Sequence, residues 1–220
     1  MKLSVLIPVF NEAASVEVLV RRVAAVDLDV EIIVVDDAST DGSAVTLDGL
    51  DVAGLRILRH PVNRGKGAAV RTALDAATGD AVVIQDADLE YFPEDFPALL
   101  APLAAGRADV VYGVRDLSDQ PLARRLGNRL LTAATNLLYG TALHDMETCY
   151  KVMRTPVARG LGLRADRFDI EPEITAKLLA AGHTIHEVPI HYAPRRARKL
   201  NPWRDGPHAL WTLLRLRFRT

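Results

Sequence analysis

The sequence predicts a single α/β domain: a mostly parallel sheet with helices on both faces. Three observations predict it. Strand-like and helix-like segments alternate along the chain. The strand-like segments are apolar throughout rather than at every second residue, as strands covered on both faces are. Polar clusters then recur where those strands stop (Asn11 with Glu12, Asp36 with Asp37, residues 63–66, residues 86–90), and the carboxyl ends of parallel strands are where such sheets bind ligands.

The elements follow in order. LSVLIPV (3–9) reads as a buried strand, and Asn11 and Glu12 turn the chain into a helix whose Val16, Leu19, Val20 and Val23 fall at helical spacing. VEIIVVDD (30–37) is a second apolar strand closed by two aspartates and the turn cluster ASTDGS. LRILRH (55–60) is a third, followed by the glycine-punctuated NRGKG and the helix AAVRTALDAA. AVVIQ (81–85) is a fourth strand and DVVYG (109–113) a fifth. Helices are expected over RLLTAATNLLYG and PEITAKLLAAG (172–182), the latter stopped by Gly182. TIHEVPIHY (184–192) is a strand, and GPHALWTLLRLRF is an amphipathic helix with Leu210, Leu213, Leu214 and Phe218 on one side.

Bulk properties agree with one globular unit. A chain of 220 residues suits one large domain with a sizeable core. At 49% hydrophobic and 25% charged it is neither disordered nor fibrous. A single cysteine, Cys149, allows no internal disulfide and gives no sign of export. No run approaches the roughly 20 apolar residues that span a bilayer; the stretch 130–143 is interrupted by Asn136 and Gly140. A cytoplasmic chain is expected. Its charge is uneven: the net is −1, yet residues 195–219 hold eight Lys or Arg against Asp205 alone, a local +7. That end is suited to anions.

The most chemical stretch is VVIQDADLE (82–90). On an extended chain Asp86, Asp88 and Glu90 share one side, and three such charges call for a positive partner. Mg²⁺ or Mn²⁺ fits: hard cations take oxygen ligands and keep positions for phosphate and water, and they neutralise charge on a departing phosphate. The six histidines show no metal-ligand spacing, and Cys149 reads as a small core residue.

LSVLIPVFNEAASV, EIIVVDDASTDGS, NRGKGAAVRTAL and AVVIQDADLEYFPED together resemble the successive signatures of the family 2 glycosyltransferases of GT-A fold. Within that family the likeness is to polyprenyl-phosphate glycosyltransferases, the dolichyl-phosphate mannose synthases among them. It is strong over 2–115 and looser through HDMETCYKVMR (144–154), FDIEPEITAKLLAAG and PWRDG. The resemblance implies one GT-A domain over 1–220, a Rossmann-like nucleotide-sugar half (1–115) and an acceptor half (116–220). It implies that Pro8, Phe10, Asn11, Glu12, Asp36, Asp37, Lys66, Gly67 and Asp86 bind the nucleotide-sugar, and that Asp86, Asp88 and Glu90 hold the metal. Asp88 and Arg115 stand among the catalytic candidates. Glu90 is a departure, because many dolichyl-phosphate mannose synthases have glutamine there.

The resemblance also implies inverting transfer of a hexose from a GDP-mannose- or UDP-glucose-type donor. A polyprenyl or dolichyl phosphate acceptor is already anionic and needs positioning by cations, for which Arg115, Arg129, Arg198 and Lys199 are the candidates. A hydroxyl acceptor, the alternative, needs a base, and Asp145 is then the choice. A non-catalytic nucleotide-sugar binder is a further alternative. Nucleic acid is not an expected partner, since no aromatic residues interleave with the basic ones. Some members of the family carry transmembrane helices after the catalytic domain. Here segments 120–138 and 205–218 would instead rest on the inner membrane face as amphipathic helices.

Overall fold

The structure, a computed structural model, describes residues 1–195 and 202–218, the side chains of 202–205 excepted. The strands are β1 (Leu3–Val9), β2 (Val30–Asp36), β3 (Leu55–Arg59), β4 (Ala81–Ile84), β5 (Val110–Arg115), β6 (Lys151–Arg154) and β7 (Ile185–Ile190). The helices are α1 (Val16–Ala24), α2 (Ser43–Asp48), α3 (Lys66–Ala76), α4 (Phe96–Ala104), α5 (Leu122–Tyr139), α6 (Thr155–Gly160), α7 (Ile170–Ala180) and α8 (Pro202–Arg217). One seven-stranded sheet runs β3-β2-β1-β4-β6-β5-β7.

The apolar strands sit where their composition requires. β1 pairs in parallel with β2 (Val5↔Ile32) and with β4 (Val5↔Val83), and these central residues have no solvent exposure. Burial on both faces is why no polar alternation shows in their sequence. α1 buries Val16, Leu19, Val20 and Val23, the residues its periodicity marks.

β6 is the exception to the parallel order. It runs antiparallel to both β4 (Val82↔Met153) and β5 (Val111↔Val152). The segment entering β6 therefore lies at the same edge of the sheet as the carboxyl ends of the other strands. Four residues reading KVMR offered no strand signal of their own. α4 was equally illegible, because Pro97 and Pro102 lie inside it; Pro97 sits in the first turn, where a missing N–H costs nothing.

A second, smaller core joins α5, α7 and α8 through Leu143, Met146, Ala176 and Leu213. α5 starts seven residues before the expected 129 and is 18 residues long. Its outer face carries Leu122, Leu126, Leu130 and Leu137, 76%, 54%, 61% and 87% exposed. Among the described residues no helix is long and apolar enough to cross a membrane.

Candidate active site

A cavity of about 240 Å³ opens at the carboxyl edge of the sheet. The backbone there is tightly turned: Asn11, Ala38 and Leu89, after β1, β2 and β4, have φ of 53°, 60° and 64°. Non-glycine residues reach that region only when surrounding contacts hold them there. Asn11 is held by Ser39, whose hydroxyl accepts from its N–H (3.0 Å), and by the Thr40 N–H that its side chain accepts (2.7 Å).

The wall over β1 to β3 is built around Asp37. Its carboxylate accepts from His60 Nδ1 (2.6 Å) and from the backbone N–H groups of Arg64 (2.9 Å) and Gly65 (2.7 Å). It thus fixes the shape of the glycine loop that opens α3. Pro8, Phe10, Glu12, Asp37 and Lys66 line the cavity. Gly67 is packed beneath the Ala165–Arg167 backbone. Asp36 lines no part of the cavity; it caps its own turn by accepting from Ser39 N–H (3.0 Å). Of the two aspartates closing β2, only Asp37 faces the site.

Over β4 the arrangement departs from the extended chain that the sequence suggested. Past Ile84 the backbone leaves the strand and folds into a turn through Leu89. Asp86 is met by Lys66 Nζ at 2.7 Å. Glu90 accepts from Tyr192 hydroxyl (2.6 Å) and Arg195 N–H (2.8 Å), anchoring the chain that leads into the basic end. Asp88 is pushed up to about 7 by burial and by the charges of Asp86 and Glu90.

Among the described residues no three His, Cys, Asp or Glu side chains gather closely enough to hold a metal by themselves. The donor set nonetheless fits a divalent cation of the kind bound by one or two carboxylates together with substrate phosphates. Asp88 and Asp86, the latter also paired with Lys66, would supply those carboxylates, and Glu90 accepts from Tyr192 and Arg195.

The wall over β6 and β5 is a chain of ion pairs. Lys66 also contacts Glu171 at 2.8 Å, in ion-pair distance but without hydrogen-bond alignment. Glu171 accepts from the fully buried Lys151 (2.9 Å). Burial works against charge on Lys66, but Asp86 and Glu171 hold its proton well above the usual lysine range. Beyond them Arg115 grips Asp145 through two bonds, Nε to Oδ2 (2.6 Å) and Nη2 to Oδ1 (2.8 Å). Burial would raise the Asp145 carboxyl, but Arg115 outweighs it and holds the group below the carboxylate range. A carboxylate so paired is a weak proton acceptor, which counts against Asp145 as a base.

Arg115 forms part of both this cavity and a second one of about 230 Å³, shared with Arg125, Asn128, Arg129 and His144. Two arginines named from sequence, Arg115 and Arg129, thus come together. Arg198 and Lys199 lie outside the described residues. Trp203 falls where side chains are not described, and Trp211 is exposed. Lys151, Glu147, Glu171 and Arg195 also line or support the site. Arg195 clasps Glu12 at 3.0 and 3.1 Å. Nothing local in CYKV marks Lys151 as a buried cation; only the fold brings Glu171 to it.

A family model described as glycosyl transferase family 2 matches residues 4–162. The undecaprenyl-phosphate 4-deoxy-4-formamido-L-arabinose transferase of Pseudomonas aeruginosa is 34% identical over 200 residues, covering 86% of this chain and 56% of its own. The dodecaprenyl-phosphate galacturonate synthase of Rhizobium johnstonii is 28% identical over 201 residues, 88% of this chain and 60% of its own. The chain therefore spans under two thirds of the length of these relatives. Among solved structures, glucosyl-3-phosphoglycerate synthase of Mycobacterium tuberculosis with Mn²⁺, UDP and phosphoglyceric acid is 25% identical. It superposes with a TM-score of 0.80 over 99% of this chain and 78% of that one. Its complex with Mg²⁺ and UDP gives 0.79 over 98% and 79%.

Proposed function

The chain belongs to glycosyl transferase family 2, and from that premise we propose that it moves a sugar from a nucleoside diphosphate-sugar to a polyprenyl phosphate, with inversion. The observation that carries the reading is the order of groups along the sheet edge. Asp37 and the glycine loop stand over β2 and β3, Asp86 and Asp88 over β4, and Arg115 with the second cavity over β5. A nucleotide, its diphosphate and an anionic acceptor would lie in that sequence. The curated relatives name polyprenyl phosphates in their activities, and the structural neighbour holds UDP with Mn²⁺ or Mg²⁺.

In this reading the nucleoside lies against Pro8, Phe10 and Asp37. Lys66 and the amides opening α3 face the diphosphate. A divalent cation on Asp88 and Asp86 would neutralise charge on the leaving diphosphate. An oxygen of the lipid phosphate attacks the anomeric carbon from the far side, and the bond to the diphosphate breaks. That oxygen carries no proton to remove at neutral pH, so no base is required. Arg115 and Arg129 position the acceptor, and pairing with Asp145 keeps the Arg115 guanidinium in one orientation. A hydroxyl acceptor would need a base, and the Arg115–Asp145 pair leaves Asp145 a poor one.

The acceptor half also supplies the membrane contact. The outer leucines of α5 share their helix with Arg124, Arg125 and Arg129, and no acid lies within it. That composition suits an anionic lipid surface.

The deciding experiment is calorimetric titration of UDP-glucose and GDP-mannose, with and without Mn²⁺, against wild type and Asp88→Ala, followed by transfer to undecaprenyl phosphate. Metal-dependent donor binding that the variant loses, with sugar recovered on the lipid, is the expected result. Failure of every nucleoside diphosphate to bind would overturn the reading.

A further inference from the structure

One group in the cavity wall has no task in the mechanism above. Glu147 lies in the segment entering β6 and lines the cavity beside Arg115, Cys149 and Glu171. The residue is part-exposed where it lines the cavity, while its Oε1 is sealed from solvent and has no hydrogen-bond partner among the described residues. The nearby cations are committed elsewhere, Arg115 to Asp145 and Lys151 to Glu171. Glu147 therefore sits between two closed ion pairs and belongs to neither.

A buried polar atom left without a partner costs about 1–3 kcal/mol, and a leucine or methionine would fill the same space without that cost. Such groups in folded proteins call for an explanation. Sheet order supplies one. β6 lies between β4, which leads into the turn bearing Asp86 and Asp88, and β5, which ends in Arg115. If the diphosphate lies over β4 and the acceptor over β5, the sugar lies over β6, against Glu147.

We propose that Glu147 is the residue that reads the donor sugar, hydrogen-bonding a hydroxyl or amide hydrogen of an uncharged sugar and rejecting a uronate. The inference rests on the glycosyltransferase reading and deepens it. Burial pushes the Glu147 carboxyl up to about 7, so near neutrality it can both donate and accept, as a sugar hydroxyl requires. A uronic carboxylate in that position would face Glu147, Asp145 and Glu171 with the local cations already paired. A site built around one hydrogen bond discriminates sharply against ligands that leave it unmade.

The test compares wild type, Glu147→Ala and Glu147→Gln in affinity for UDP, GDP, UDP-glucose, GDP-mannose and UDP-glucuronate, all with Mn²⁺, and then in turnover. Expected is a loss of roughly tenfold or more in Glu147→Ala for the neutral nucleotide-sugar that wild type binds best, the free nucleoside diphosphate being unaffected. Glu147→Gln, which keeps donor and acceptor atoms, is expected within about threefold of wild type on that donor while gaining roughly tenfold in relative affinity for UDP-glucuronate. Unchanged sugar affinity in Glu147→Ala would overturn the proposal. So would a Gln variant that binds donor normally yet fails to turn over, because that is the behaviour of a base. If wild type binds nucleoside diphosphates but gains nothing from any attached sugar, the proposal fails while the nucleotide site stands. If it binds no nucleoside diphosphate at all, the glycosyltransferase reading fails first.

Discussion

Lys66 connects what the sequence showed with what it hid. Its place in NRGKG marked it for phosphate, but its partners Asp86, Glu171 and, through Glu171, Lys151 come from three other parts of the chain. Lys66→Met is expected to weaken nucleoside diphosphate binding and to destabilise the fold by about 2–3 kcal/mol in urea titration. That is less than the ~3–5 kcal/mol for breaking a fully buried pair, because Glu171 keeps Lys151. At the opposite edge of the sheet, Glu31 accepts from Ser4 hydroxyl and from the N–H groups of Thr78 and Gly79. Burial raises its pKa, but these bonds prevail and pull it down to about 2. A depressed carboxylate stabilises above its unfolded value of 4.5, and that stability is lost as pH falls toward 2. Glu31→Gln is expected to cost on the order of 1–2 kcal/mol at pH 7 after allowance for solvent screening. The gap should close near pH 2 when melting is followed against pH. Asp37, Asp88 and Arg115 were legible because strand ends and short spacing announce them. Glu147 and Lys151 were not, since a charged residue gives no local sign that the fold will bury it.

Among the elements, the glycine loop opening α3 shows how closely this site is packed. A Cβ on Gly67 would collide with the carbonyl oxygen of Ala165. Gly67→Ala is expected to destabilise by about 1–3 kcal/mol, as overpacking does, and to reduce nucleotide affinity, read by denaturation and calorimetry together. The outer face of α5 makes a different demand. Replacing Leu126, Leu130 and Leu137 together by Gln should leave helicity and melting unchanged while reducing cosedimentation with phosphatidylglycerol vesicles several-fold. If the leucines instead join two copies of the chain, the variant will change molecular weight in solution and not vesicle binding. Periodicity gave α1 its buried face, whereas α5 began earlier than its apolar run because its first turns pack few side chains. The alternate carboxylates of 86–90 suggested an extended run, and the left-handed Leu89 overrides it.

In the whole molecule, the sheet ranks its ligand-facing groups in space in an order the chain does not follow. A ligand that spans them should bind the folded state alone. UDP with Mn²⁺ at about 100 times Kd is expected to stabilise by ~2.7 kcal/mol, which for a domain of this size raises Tm by roughly 5–10 °C. The increment should vanish in Asp88→Ala. The reversed β6 has a wider consequence. Because it enters from the ligand edge, Glu147, the residue proposed to read the sugar, arrives on its own stretch of chain, remote in sequence from Pro8, Phe10 and Asp37, against which the nucleoside is proposed to lie. Sugar preference and nucleotide preference are thereby written in separate clauses of the sequence. Divergence can edit one while leaving the other intact, and on the proposed reading a change at Glu147 alone is the smallest edit that would carry a new sugar with it.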